Sequence, residues 1–336
     1  MAGSIARRML GRGGTAAAAL VAGALVLTAC GGGAKVGGSS GSSSSGGAAK
    51  ACGNVNLADN AWVGYEADLA VVAYVLKNKL KCTVAVKHIN EQVSWQGFAS
   101  GQVDAILENW GHDDLKKKFI DQQKVAQDAG STSLKGIIGW YVPPWMAKQY
   151  PDITDWKNLN KYASMFKTSE SGGKGPLLDG DPSYVTNDAA LVKNLKLDFK
   201  VVQGGSEAAL ITSFRQAEQN KKPLLAYFYE PQWFFNEVPL VRVKLPAYTA
   251  GCDAVAAKVN CDYPPYDLNK IESTKFANSG SPAYTVIKNF QWSNEQQNAV
   301  SKSIAVDKLS DDDAAKKFLD ANADLVTKWL AGTGVS

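Results

Sequence analysis

The sequence predicts a two-lobed α/β protein with a cleft between its lobes, on three observations. From residue 53 onward, short apolar runs alternate with longer segments of helical period, the pattern of a largely parallel sheet covered by helices. The cycle begins afresh near residue 199. Residues 53–336 number 284, which is long for one hydrophobic core and suits two.

Element by element, the run 55–61 reads as a strand and 65–80 as an amphipathic helix. A strand at 83–89, a helix over about 92–100 and a strand at 103–110 complete the first cycle. The apolar run 136–142 stops at Pro143-Pro144, as a strand leaving one lobe would. The second cycle has a strand at 199–203, a helix at 207–220 and a strand at 223–229. Both cycles share one layout: a strand, an acid (Glu91 or Glu207), a helix, a short turn, then a strand ending in aromatics. Residues 294–330 carry apolar residues at helical spacing and are expected to pack back on the first lobe. The lobes are expected to comprise residues 53–138 with 246–336, and residues 139–245.

The N-terminus reads as an address. Arg7, Arg8 and Arg12 precede an apolar stretch over 15–27, too short to span a bilayer comfortably, so residues 1–29 are expected to be a cleaved signal. Leu27-Thr28-Ala29-Cys30 resembles a bacterial lipobox, which implies lipidation of Cys30 and a membrane anchor. Residues 31–50 hold 8 Gly and 6 Ser; with Cys30 and Ala51 they form a flexible tether that cannot bury a core. The expected location is the outer face of the cytoplasmic membrane.

Cys52, Cys82, Cys252 and Cys261 remain, an even number in an oxidising compartment. Four cysteines allow three pairings. Cys52–Cys82 and Cys252–Cys261 are favoured, because Cys52 and Cys82 each precede an apolar run, and neighbouring parallel strands would set both sulfurs at one sheet edge. Thiolate metal ligation fits poorly, with no C-x-x-C and only His88 and His112 in the chain. No metal and no cofactor are expected.

Composition narrows the function. The formal net charge is +4, yet residues 30–336 carry 33 basic and 32 acidic side chains, which leaves no electrostatic footprint for nucleic acid. Outside the Gly/Ser tether no G-x-S-x-G occurs, and neither H-E-x-x-H, a Walker P-loop nor a G-x-G-x-x-G after a strand is present, so an enzyme is not expected. The segment from Asp179 begins like a calcium loop, but Tyr184 and Ala190 stand where that loop needs Gly and Glu.

What the chain does offer is aromatics at loop and strand ends. Trp62, Trp110, Tyr184 and Tyr229 each sit where a strand or a Gly/Pro loop gives way to polar residues, whereas Trp140 and Trp156 read as packing residues. In open α/β sheets ligands bind beyond the carboxyl ends of strands, where Trp110 and Tyr229 stand. Several π faces converging on a cleft suit a quaternary ammonium, each face contributing roughly 0.5–2 kcal/mol.

Five segments carry a resemblance: 56–62 (Asn-Leu-Ala-Asp-Asn-Ala-Trp), 101–110 (Gly-Gln-Val-Asp-Ala-Ile-Leu-Glu-Asn-Trp), 139–143 (Gly-Trp-Tyr-Val-Pro), 180–184 (Gly-Asp-Pro-Ser-Tyr) and 229–233 (Tyr-Glu-Pro-Gln-Trp). In this order they resemble the glycine betaine/choline-binding lipoproteins of ABC importers, across essentially all of residues 53–336. The resemblance implies a type II periplasmic-binding-protein fold and a quaternary-ammonium ligand (glycine betaine, proline betaine or choline). It also implies delivery to an ABC permease with its ATPase.

It places cage aromatics at Trp62, Trp110, Tyr184 and Tyr229, with Trp233 closing the last motif. Backbone N–H groups at Ser183 and Tyr184 are candidates for a ligand carboxylate, and His112 stands near the family's carboxylate-binding His. Departures are the absent Pro after Trp110, the acids Asp113 and Asp114, and Glu230 where a neutral residue is common. Acids at the cage would favour a net cation or a hydroxyl donor such as choline. The alternatives are a different cationic or zwitterionic solute in the same fold, or a sensory lipoprotein without transport.

Overall fold

In the computed structural model, residues 51–184 and 186–335 are described. The expectations for the signal, Cys30 and the tether up to residue 50 therefore lie outside the described residues. Among the described residues no helix is long and apolar enough to cross a membrane.

The described chain opens with β1 (Asn54–Asp59), α1 (Val63–Asn78), β2 (Thr83–His88), α2 (Glu91–Ser100) and β3 (Ala105–Asn109). Strands β2, β1 and β3 pair in parallel, in that order. α1 is buried along most of its length because it lies between this sheet and later helices. The Asn90 side chain caps α2 by accepting from the Val93 N–H, and left-handed Gly101 ends it.

A short helix α3 (Asp113–Lys116) then leads into β4 (Ala126–Val142), 17 residues long. Only its apolar end at 136–142 is legible in the sequence. The first half, Ala-Gln-Asp-Ala-Gly-Ser-Thr-Ser-Leu-Lys, is polar, yet it pairs antiparallel with β9 (Tyr266–Ser273). Gly130 and Ser133, both at positive φ, accompany the register shifts that let this half bend. β9 has no apolar signature either. Asn269 donates to Asp128, and buried Lys270 donates to three carbonyls, those of Ser131, Lys288 and Phe290.

After β4 come α4 (Pro144–Gln149), α5 (Leu159–Phe166), β5 (Gly175–Asp179), α6 (Asp188–Asn194), β6 (Phe199–Gln203), α7 (Glu207–Gln219) and β7 (Ala226–Glu230). Strands β6, β5 and β7 run in parallel, β7 pairs antiparallel with the far half of β4, and the short β8 (Val241–Arg242) pairs with the end of β4. The sheet is therefore mixed: two parallel triplets are joined through antiparallel β9 and β4, where a largely parallel sheet is expected from the sequence.

After β9 come α8 (Thr274–Ala277), α9 (Pro282–Asn289), α10 (Asn294–Ala305), α11 (Asp311–Ala321) and α12 (Ala323–Leu330). The tail is three helices, because Ser310 and Asn322 interrupt it, and α10 and α11 pack on α1 of the first lobe. Both favoured disulfides are present, Cys52–Cys82 with Cα atoms 5.0 Å apart and Cys252–Cys261 with Cα atoms 6.3 Å apart. The first joins the segments entering parallel neighbours β1 and β2.

Candidate ligand-binding site

Trp62 is the last residue before α1 and Trp110 the first after β3, so both stand at the carboxyl edge of the parallel strands. Tyr184 follows β5 in its loop. Tyr227 and Tyr229 are two apart on β7 and share one face, which they share with Ile138, the residue paired with Tyr229 across β4. With Tyr266, at the start of β9, and with Glu91 and His112, they line a pocket enclosing about 430 Å³ including its mouth.

The rings form a chain of edge contacts. Trp62 meets Tyr184 at 5.9 Å between centroids, Tyr184 meets Tyr229 at 6.3 Å, and Tyr229 meets Trp110 at 5.8 Å. Tyr266 adds an edge contact to Trp110 at 5.5 Å. Aromatic pairs favour this arrangement because a positive ring edge faces a negative π face. Two glycines seat two of these rings: a Cβ at Gly136 would lie 2.6 Å from the Trp110 indole, and one at Gly180 would lie 2.5 Å from the Tyr184 ring.

Polar partners fix the rings from behind. Glu108, on β3 and 1% exposed, accepts from Trp62 Nε1 at 2.8 Å and from Trp110 Nε1 at 2.7 Å, both on Oε1. Its other oxygen accepts from Gln297 Nε2 at 2.6 Å. Burial raises the Glu108 carboxyl against the lowering effect of a hydrogen bond with Asp68 and of these donors. Neighbouring Asp68 is pushed well up, first by burial and then by the charge of Glu108. At the head of α7, the Tyr229 hydroxyl donates to Glu207 Oε1 at 2.5 Å, and the Val63 N–H donates to Glu207 Oε2 at 3.0 Å. The Tyr184 hydroxyl donates to the Ala61 carbonyl at 2.8 Å. The last two bonds tie the β5 loop and the start of α7 to the residues on either side of Trp62.

One wall of the pocket is charged. His112 Nε2 lies 2.8 Å from Glu91 Oε1, with both side chains about one-tenth exposed. Glu91 is the first residue of α2, and His112 takes a left-handed backbone (φ 54°) after Gly111. Burial pulls the imidazole down, but the charges of Glu91 and Asp114 outweigh it and hold His112 above its ordinary value.

Of the residues singled out in the sequence, Trp62, Trp110, Tyr184, Tyr229 and His112 come together around this pocket. Ser183, Glu230 and Trp233 do not. The Ser183 N–H donates to Asp181 Oδ1, and the Tyr184 N–H donates to the Asp181 carbonyl, so both groups are already engaged within their own loop. Glu230 follows Tyr229 on β7 and therefore points to the opposite sheet face, where it feels the charge of Arg242. Trp233 is buried at an outer groove beside Val63 and Glu207. Asp113 and Asp114 are exposed.

Four lining residues were not picked out as site residues. The period-two signal of β7 points from Tyr229 to Tyr227, and Glu91 occupies the strand-to-helix position noted in both cycles. Ile138 and Tyr266 have no local signal, since only the pairing of β4 with its neighbours brings them here.

Residues 53–321 match the substrate-binding domain of ABC-type glycine betaine transport systems. The chain belongs to this family. A trimethylamine N-oxide-binding protein from Pelagibacter ubique is 27% identical over 270 residues, covering 73% of this chain and 81% of that one. A glycine betaine/carnitine transport binding protein from Listeria monocytogenes is 25% identical over 176 residues, about half of each chain. Among solved structures, a choline-binding protein of an ABC transporter in complex with choline superposes with a TM-score of 0.67 at 18% identity, over 84% of this chain and 92% of that one. The lactococcal protein of this family, closed on glycine betaine, superposes with a TM-score of 0.62 at 21% identity, over 82% and 99%. These likenesses bear out the two-lobed binding-protein fold. Members of the family are extracytoplasmic solute-binding proteins that work with an ABC permease and its ATPase, and are not enzymes.

Proposed function

We propose that this protein captures a quaternary-ammonium solute, such as glycine betaine, proline betaine or choline, in a cage formed by Trp62, Trp110, Tyr184 and Tyr229. The observation that carries the reading is the unbroken chain of edge contacts among these four rings around one pocket. A trimethylammonium group spreads its charge over methyl groups that donate no conventional hydrogen bond, so ring faces replace its hydration. Three or four faces at roughly 0.5–2 kcal/mol each, with burial of the methyl groups, approach the about 8 kcal/mol of micromolar binding.

The Glu91–His112 wall receives the other end of the ligand. A hydroxyl donates to Glu91; a carboxylate accepts from His112. Closure follows from the ligand's preference for the state in which both lobes touch it. The lobes in this reading are residues 53–138 with 246–336, and residues 139–245; the change of partner along β4 supports that division. The lipobox-like Leu27-Thr28-Ala29-Cys30 supports a lipid anchor at Cys30, from which the binding unit serves the permease.

A second reading is a trimethylamine N-oxide ligand. The relative that binds it aligns over 81% of its own length, and His112 offers a donor to a short, strongly accepting oxygen. Tryptophan fluorescence of the purified protein, titrated with glycine betaine, choline and trimethylamine N-oxide, tests both readings. A saturable micromolar response to either of the first two supports the quaternary-ammonium class. A response to the N-oxide alone supports the second reading, and silence for all three overturns the cage.

A further inference from the structure

Behind the cage lies a carboxylate with no ion-pair partner among the described residues, although Lys270 interacts electrostatically with its neighbour Asp68. The Glu108 carboxylate accepts from three N–H groups, two indoles and the Gln297 amide, and also shares a hydrogen bond with the Asp68 carboxyl. A protonated Glu108 would find an acceptor only in Asp68, since none of the three N–H groups supplies one. Asp68 beside it accepts only at Oδ1, from Trp292 at 3.0 Å and Gln297 at 3.1 Å, while its Oδ2 meets no donor. Two adjacent buried carboxyls hold one proton between them, and this donor count assigns it to Asp68. Among the described residues no Lys or Arg lies within ion-pair distance of Glu108. Neutral acceptors would satisfy two indoles equally well, and burying an unpaired charge is costly.

We infer that Glu108 is the residue that makes this pocket select positive charge: its buried carboxylate holds both cage indoles by their N–H groups, makes their π faces more negative, and finds its counter-ion in the bound ligand. Glu108 never touches the ligand; it acts through Trp62 and Trp110 and is a positioning residue with an electrostatic effect. The inference rests on the cage reading above. It adds to the cation–π preference of the rings a further discrimination between a cation and a neutral molecule of the same shape.

Replacing Glu108 alone would let Asp68 ionise and take over the charge, so the test needs both positions. Choline is compared with 3,3-dimethylbutan-1-ol, which has carbon in place of nitrogen, and glycine betaine with 3,3-dimethylbutanoate. The wild-type protein is expected to prefer each charged head by at least tenfold. Asp68→Asn, which leaves Glu108 ionised, keeps that preference within threefold. Asp68→Asn/Glu108→Gln loses at least tenfold of it, through weaker binding of the charged head at unchanged affinity for the carbon isostere. Equal weakening of both ligands marks a purely structural role and overturns the inference, as does a preference retained in the double variant. If that variant does not fold, Asp68→Leu/Glu108→Met removes the same charge with apolar side chains and is read by the same ratios. A wild-type protein that binds no member of either pair overturns the cage reading as well, which separates the two failures.

Discussion

At the scale of single residues, the site depends on rings held in place by what lies beneath them. Trp110 is half-buried, packed on Gly136, edged by Tyr229 and Tyr266, and tied to Glu108. Trp110→Ala should weaken binding of a quaternary-ammonium ligand more than tenfold, since it removes a ring face and the contacts around it. The melting temperature of the apo protein should hardly change; a large loss would mean that the ring serves packing. Gly136→Ala probes the same ring from below. A Cβ there would lie 2.6 Å from the indole, so the ring must tilt out of the cage. The expected result of a fluorescence titration is a several-fold weaker affinity in a normally folded protein. Unchanged affinity would show that the indole position is not critical.

At the scale of elements, the charged wall joins two helix starts, Glu91 at the head of α2 and His112 just before α3. His112 is held above its ordinary value, so its pairing with Glu91 is fully present below about pH 6.5 and is lost as pH rises through the raised value. A ligand that ends in a carboxylate or an N-oxide should therefore bind more weakly at pH 9 than at pH 6, and His112→Gln should flatten the profile. Calorimetric titration at the two pH values checks this, and a pH-independent wild-type affinity would remove His112 from ligand recognition. The Cys52–Cys82 bridge acts at the same scale, fixing the entries of β1 and β2 across a sequence separation of 30. On loop-entropy grounds, Cys52→Ser/Cys82→Ser should cost about 3–4 kcal/mol in a denaturant titration.

For the whole molecule, two bonds join the proposed lobes on either side of Trp62, from the Tyr184 hydroxyl to the Ala61 carbonyl and from the Val63 N–H to Glu207. Tyr184→Phe keeps the ring and removes one of them. A hydrogen bond of about 0.5–1.5 kcal/mol predicts roughly a two- to tenfold loss of affinity and a larger radius of gyration for the apo protein by solution scattering. No change in either would mean that the bond does not hold the lobes together. Global stability should also respond to pH. Burial pushes Glu66 up to about 7, helped by the charge of Asp311, and pushes Asp188 and Glu272 up to about 8. The folded chain thus keeps protons that the unfolded chain releases, and stability falls as pH rises from about 4.5 to about 8. Lys270, pulled down to about 8 by burial, acts in the opposite sense only above that. Melting temperatures at pH 5 should exceed those at pH 8, and the reverse order would refute the assignment.

Much of this was legible in the chain itself because strands and helices with apolar faces announce their period. The two cycles, both disulfides and the five pocket residues at strand or loop ends were read from local pattern, spacing and family resemblance. The polar half of β4 and all of β9 were not, since their burial depends on each other and on hydrogen bonds such as those of Asn269 and Lys270. The sequence left open whether Asp113, Asp114 and Glu230 face the ligand. Strand alternation turns Glu230 away, and the two aspartates face solvent. The acids at the pocket are instead Glu91 in its wall and Glu108 and Glu207 behind its rings. By itself, then, the sequence determined the fold class and the aromatic chemistry, because periodicity and residue type are local properties. Only the tertiary structure decided which carboxylates meet that chemistry, because a side chain's facing is set by strand register and by the partner that crosses it.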